Sequence, residues 1–144
     1  EFSTEEIALL RDLAQIAEDE LNHKELSQAL AAWRESEQRF RAVFDAAAIG
    51  IVLIDGTGHF IEVNAAYAAM LGIPADELRG LPAASVTHPA DRDGDPAMYE
   101  RLRSGEQRVR REKRYVRPDG TVLWASVTAS LLRPGVSIGN GVPA

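Results

Sequence analysis

Cysteine is absent from the 144 residues. Its absence removes disulfides, thiolate metal sites and cysteine nucleophiles together. Glycine and proline are missing from the first third: the first glycine is Gly50 and the first proline is Pro74. Everything before Gly50 is therefore free to be helix. Long apolar runs are also missing. The stretch from Ala46 to Ile54 is far too short to span a membrane, and the acidic start EFSTEEIALL lacks a signal-peptide pattern. An excess of basic charge is lacking too, with 16 Lys+Arg against 22 Asp+Glu and a formal net charge of −6. A dedicated nucleic-acid binder carries the opposite balance. The expectation is a cytoplasmic piece of a longer protein with neither nucleic acid nor membrane as partner.

What is present is 45% hydrophobic, enough for one compact domain with an extension. A helix from Thr4 to Ala47 is expected, started by Ser3 or Thr4 and by Glu5 and Glu6 in its first turn. At 1.5 Å per residue it would run roughly 65 Å, more than a small domain can cover. Leu26, Leu30, Trp33, Phe40 and Phe44 follow at heptad-like steps of four, three, seven and four residues. Leu9, Leu13 and Ile16 form an earlier stripe out of phase with it, which predicts a bend near Asn22 and His23 or two segments with different partners. The later stripe is the expected seam of a parallel homodimer, with Phe40 and Phe44 able to pack on the chain's own sheet instead.

After Ala48 the pattern changes to short elements. IGIVLID (49–55) and HFIEVN (59–64) read as a hairpin around Gly56-Thr57-Gly58. Asn64 is placed to cap a helix AAYAAML that Gly72 ends. Pro74 opens ADELR, residues 81–95 read as loop, and a helix over 96–104 ends at Gly105. RVRREKRYVR (108–117) holds six Arg or Lys in ten residues. Pro118-Asp119-Gly120 then makes a turn, and Leu123, Ala125, Val127, Ala129 and Leu131 alternate with Trp124, Ser126, Thr128 and Ser130. The basic run is thus the first arm of a long hairpin, its charges expected on a solvated side or edge, with Glu112 and Arg114 in surface pairs.

With the order helix, two strands, short helices and long hairpin, three pieces resemble PAS domains. They are RFRAVFDAAAIGIVLIDGTGHFIEVNAAYAAMLGIPADELRG (39–80), His88-Pro89 with Asp91-Arg92 after it, and EKRYVRPDGTVLWASV (112–127). The resemblance implies an α+β fold: a five-stranded antiparallel sheet with short helices on one face, plus the long N-terminal helix. It divides the chain into a helical linker (1–36), a PAS domain (37–134) and an irregular tail or weak last strand (135–144). The tail RPGVSIGNGVPA lacks the usual exit motif of the family. Residues 2–21 are similar to the closing helix of a GAF domain. That implies an upstream GAF-like domain and a downstream output domain such as a kinase, a phosphatase or a cyclic-dinucleotide enzyme.

Relatives of this fold hold flavin, haem, small acids, metal ions or nothing. A flavin–cysteine adduct is excluded by composition. Haem needs an axial ligand, and His23, His59 and His88 all fall outside the helix 96–104. Asp91, Asp93 and Asp95 miss the calcium-loop pattern, because Gly94 precedes the third acid and the twelfth position is Leu102. They are expected to cap the helix that follows. Neither metal nor cofactor is expected, and no catalytic constellation is present. The leading reading is a sensory and regulatory module that dimerises and relays a signal. The alternative is a small-molecule receptor whose cleft is lined, by resemblance, by Tyr67, Met70, Leu71, Val86, Met98, Leu102, Leu123 and Val127. A packed core is expected there instead.

Overall fold

The computed structural model describes residues 2–144; the first residue of the linker segment 1–36 lies outside them. The chain divides into two compact units, residues 1–42 and 43–144. The first is helix from Thr4 onward. Helix α1 runs Thr4–Ala46, uninterrupted through Asn22 and His23, so no break in the helix accompanies the change of phase. Ser3 and Glu6 form a reciprocal capping box at its start. Leu9, Leu13, Ile16, Leu26, Leu30, Trp33 and Phe40 are all exposed along it. Phe44, expected in the dimer seam, is instead only 3% exposed. It belongs to the second unit, and a side chain already buried within the chain cannot also serve a partner.

The second unit is built on a five-stranded sheet. Strands β1 (Gly50–Asp55), β2 (Phe60–Val63), β3 (Val109–Val116), β4 (Val122–Arg133) and β5 (Val136–Pro143) are arranged in the order β2-β1-β5-β4-β3. Every neighbouring pair is antiparallel. Of the two expectations for the tail, the structure takes the strand, which completes the five-stranded sheet. Residues 135–144 are not irregular: β5 pairs with both β1 and β4 and is the central strand. Its glycines hid it, because Gly139 and Gly141 carry no apolar side chain to complete an alternating pattern. Yet both lie on the inner face, where Gly139 meets Val52 and Gly141 meets Met70 and Tyr67.

Between the hairpins lie α2 (Ala65–Leu71), α3 (Ala75–Leu78) and α4 (Gly94–Arg103). Asn64 caps α2 by accepting from the Tyr67 N–H, and Gly72 ends it at φ 71°. The stretch 81–95 is more ordered than a loop, holding 3-10 turns over Ala83–Val86 and Pro89–Asp91 and the first two residues of α4. It also covers sheet edges. Thr87 bridges to Tyr115 of β3, and the His88 N–H donates to the Arg114 carbonyl. Pro82 bridges to His59 beside β2, where the Phe60 N–H donates to Leu81. Open strand edges invite pairing with other chains, and both are partly closed here.

The core sits between the sheet and these helices. Val52, Ile54, Phe60, Val63, Tyr67, Leu71, Leu78, Val86, Tyr115, Ala125 and Val127 form its main cluster. Met98, Leu102, Val109 and Ala129 form a second under α4. The alternation read in β4 holds for Ala125, Val127 and Ala129, which are buried. Trp124 is on the opposite face, 48% exposed, with the Arg114 guanidinium 4.9 Å from its ring centroid.

Candidate functional site

The cleft read from resemblance is present as a surface and almost absent as a space. Tyr67, Leu71, Val86, Met98, Leu102 and Val127 are buried, while Met70 and Leu123 are half-buried and pack against the core. The interior cavity measures only about 20 Å³, lined by Tyr67, Met98, Tyr99, Lys113, Tyr115, Val127 and Ser137 among others. That is room for one water. Two ring pairs fill the rest, Tyr67 edge-on to Phe60 and to Tyr115, each with centroids 5.8 Å apart. Burial holds the Tyr67 and Tyr115 hydroxyls well above the usual phenol range. Neither phenol is poised to act as a base.

The polar group at this site was missed in the sequence. Lys113, in the middle of the basic run, is 4% exposed. Its Nζ donates to Asp95 Oδ2 at 2.7 Å and to Thr87 Oγ1 at 3.3 Å, and lies 4.9 Å from the Tyr115 ring centroid. Burial pulls its pKa down, opposed by the Asp95 carboxylate. The Arg111 guanidinium lies 3.3 Å from Asp95 Oδ1 and donates to the Asp91 carbonyl. Arg114 holds Asp91 through both its backbone and its guanidinium. That contact draws the Asp91 carboxyl down to about 2. Odd residues of β3 therefore face inward, and the expectation that the charges of this run lie mainly on a solvated side or edge is corrected at Lys113 and Arg111. The capping expectation holds in position, with Asp93 at the N-cap of α4 and Asp95 in its first turn. Asp93 makes no side-chain cap bond, while Asp95 and Asp91 are tied to β3. The signal for this was the pairing of Asp91 and Asp95 with Arg111, Lys113 and Arg114, legible only once β3 lies beside the start of α4.

The histidines have no ligand role in view. His88 Nδ1 accepts from the Ala90 N–H at the start of the short turn Pro89–Asp91. His59 Nδ1 lies 2.9 Å from Thr57 Oγ1, which donates to Asp55 Oδ1. Here the hydroxyl sits between His and Asp, whereas nucleophile activation needs the imidazole in the middle. The three side chains lock the β1–β2 turn instead. Among the described residues no group of three His, Asp or Glu side chains could hold a metal ion, and no helix is long and apolar enough to cross a membrane.

A second hollow is larger. About 200 Å³ opens between the β1–β2 turn (Gly56, Thr57, Gly58), the turn at Pro82–Ala84, and α4 with its approach (Arg92, Asp95, Pro96, Tyr99, Arg103). None of the cleft residues read by resemblance lines it.

Comparison with known proteins agrees with this architecture. The family model described as the PAS fold matches residues 38–139. A protein of Escherichia coli (strain K12) named as a probable diguanylate cyclase is 39% identical over 100 residues, 69% of this chain and 9% of that protein. A sensor histidine kinase of Ectopseudomonas mendocina is 31% identical over 112 residues, 77% of this chain and 12% of that one. The chain thus spans about a tenth of the length of these relatives. The crystal structure of the PAS domain of an HTR-like protein from Haloarcula marismortui superposes with a TM-score of 0.69 at 21% identity, covering 82% of this chain and 99% of that one.

Proposed function

The chain belongs to the PAS family, and from that premise we propose that it is a sensory and regulatory module that dimerises through α1 and relays a signal to a catalytic domain outside these residues. The observation that carries this reading is the exposed stripe Leu26, Leu30 and Trp33 on a 43-residue helix. Large apolar side chains repeated at heptad-like spacing are stabilised by a second helix. A linker carrying a signal between domains must run the same way in both subunits, so the pairing is parallel. The stripe of Leu9, Leu13 and Ile16 is out of phase with it within one continuous helix. A register shift or rotation between the two stripes is the proposed means of relay.

The printed names of the relatives, one a probable diguanylate cyclase and one a sensor histidine kinase, support a signalling enzyme as the output. Residues 2–21, similar to the closing helix of a GAF domain, would enter from an upstream domain. Catalysis belongs to neither unit of this chain in this reading. Leu30→Glu with Trp33→Glu places charge in the proposed seam. Sedimentation at micromolar concentration is expected to give a dimer for the wild type and a monomer for the double variant. A wild-type monomer, or a double variant that dimerises as tightly, would reject the proposal.

A further inference from the structure

We propose that the hollow between the β1–β2 turn and α4 is a binding site for a small monocarboxylate with a flat apolar body. Its volume, about 200 Å³, is that of roughly seven liquid waters. A single ring with one charged group fills such a space; a nucleotide or haem does not. The interior cleft, at about 20 Å³, offers no competing room.

The charge around the hollow selects an anion. Among the described residues that line it the only carboxylate is Asp95, already held by Lys113 at 2.7 Å and Arg111 at 3.3 Å. Three cations, Arg111, Lys113 and Arg114, share the two carboxylates Asp95 and Asp91, which leaves one positive charge in excess beside the hollow. Two further cations, Arg92 and Arg103, line it. Arg92 uses Nε on the Thr87 carbonyl and has no carboxylate partner among the described residues. Its terminal nitrogens remain available. Arg103 is engaged only by exposed Glu100, on its own helix at 3.0 Å, a contact that a ligand carboxylate can replace at little cost. Guanidinium groups grip carboxylates with paired hydrogen bonds.

The rest of the wall is apolar. The half-buried Tyr99 ring, Pro82, Ala83, Ala84 and Pro96 suit the body of the ligand. Gly56 and Gly58 line the mouth, and Gly58 holds its turn at φ 84°. The hollow is bordered by three segments, the β1–β2 turn, the Pro82–Ala84 turn and α4 with its approach. A bound carboxylate would clamp α4 to the β1–β2 turn, and α4 already reaches β3 through Asp95 and Lys113. This deepens the sensory reading and rests on it for its purpose, though not for the binding itself.

The test is titration calorimetry of the whole chain with benzoate as the probe and benzamide as its neutral isostere. For so few atoms the expected dissociation constant is about 1 mM. Arg92→Gln and Arg103→Gln should each weaken benzoate about tenfold. Glu100→Gln should tighten it a few-fold by releasing Arg103, a gain that a purely structural role for these residues does not produce. Benzamide should bind at least tenfold more weakly. No benzoate binding by about 10 mM, equal binding of benzamide, or affinity unmoved by all three substitutions would each overturn the proposal. Sedimentation of the same samples separates the two readings: an intact dimer that ignores benzoate rejects the site and leaves the relay standing.

Discussion

Both ends of the Asn64 carboxamide are fully engaged. Oδ1 accepts from the Ile51 and Tyr67 N–H groups at 2.8 and 3.0 Å, and Nδ2 donates to the Phe44 and Ile49 carbonyls at 2.8 and 3.0 Å. One buried side chain thus ties the end of α1, the start of β1 and the start of α2. Asn64→Ala removes the cap and strands buried partners, so a loss of about 3 kcal/mol is expected from urea unfolding. Lys113 presents the opposite case, a charge whose burial is costly and whose partner would be worse off alone. Lys113→Met leaves Asp95 buried with only Arg111 and should cost about 3 kcal/mol. Pairing it with Asp95→Leu removes the buried carboxylate but also takes the partner from Arg111, so only part of that loss should be recovered. A double variant less stable than the single one would show that the unpaired Arg111 costs more than the relieved Asp95 returns.

At the level of elements, β5 works as the middle of the sheet because its inner face is nearly bare. Tyr67 and Met70 of α2 occupy the space that side chains at Gly50 and Gly141 would take. The two positions should differ on substitution. A Cβ at Gly50 meets Tyr67 Cα and Cβ at 3.1 Å, and backbone cannot yield easily. Gly50→Ala is expected to cost about 1–3 kcal/mol. At Gly141 the nearest atom is the flexible Met70 Cε at 3.4 Å, so Gly141→Ala should be neutral or gain about 0.5 kcal/mol of backbone entropy. Thermal melting of both variants checks the order. The α4 approach is fixed to β3 by Asp91, whose carboxyl titrates at about 2 rather than 3.8 because Arg114 donates to it. The folded state therefore binds this proton less readily than the unfolded chain does. The stabilisation is complete above about pH 4 and fades as pH falls towards 2. After solvent screening it amounts to about 1 kcal/mol. Asp91→Asn should flatten this limb of the stability–pH curve and leave the slope above pH 5 unchanged.

For the whole molecule, the division at residue 42 has a consequence that can be measured. All five strands and the core lie within residues 43–144, and so does the Phe44 carbonyl that Asn64 holds. Removing residues 1–42 should leave the near-ultraviolet circular dichroism of the remaining tyrosines and Trp124 in place. The same deletion should abolish self-association if α1 carries it. A truncated chain that still dimerises would move the interface to the sheet, where Trp124, Val122 and Val142 are exposed.

The long helix, the two hairpins, the cap at Asn64 and the stop at Gly72 were legible in the residues because each follows from local chemistry. Proline and glycine placement, alternation and capping act over a few neighbours, and the backbone obeys them before any packing occurs. The order of strands was not legible in that way. Nothing near β5 says that a glycine-bearing tail lies between β1 and β4, since the reason is the bulk of Tyr67 and Met70, about seventy residues earlier. The same holds for the basic run. Its spacing marks a strand, but whether Lys113 faces water or Asp95 is settled by which helix start lies over that strand. The 200 Å³ hollow, drawn from three separate segments, likewise exists only after folding. Local conformational preference was written along the chain, whereas burial, ion pairing and empty space depend on contacts between distant residues, which tertiary packing alone decides.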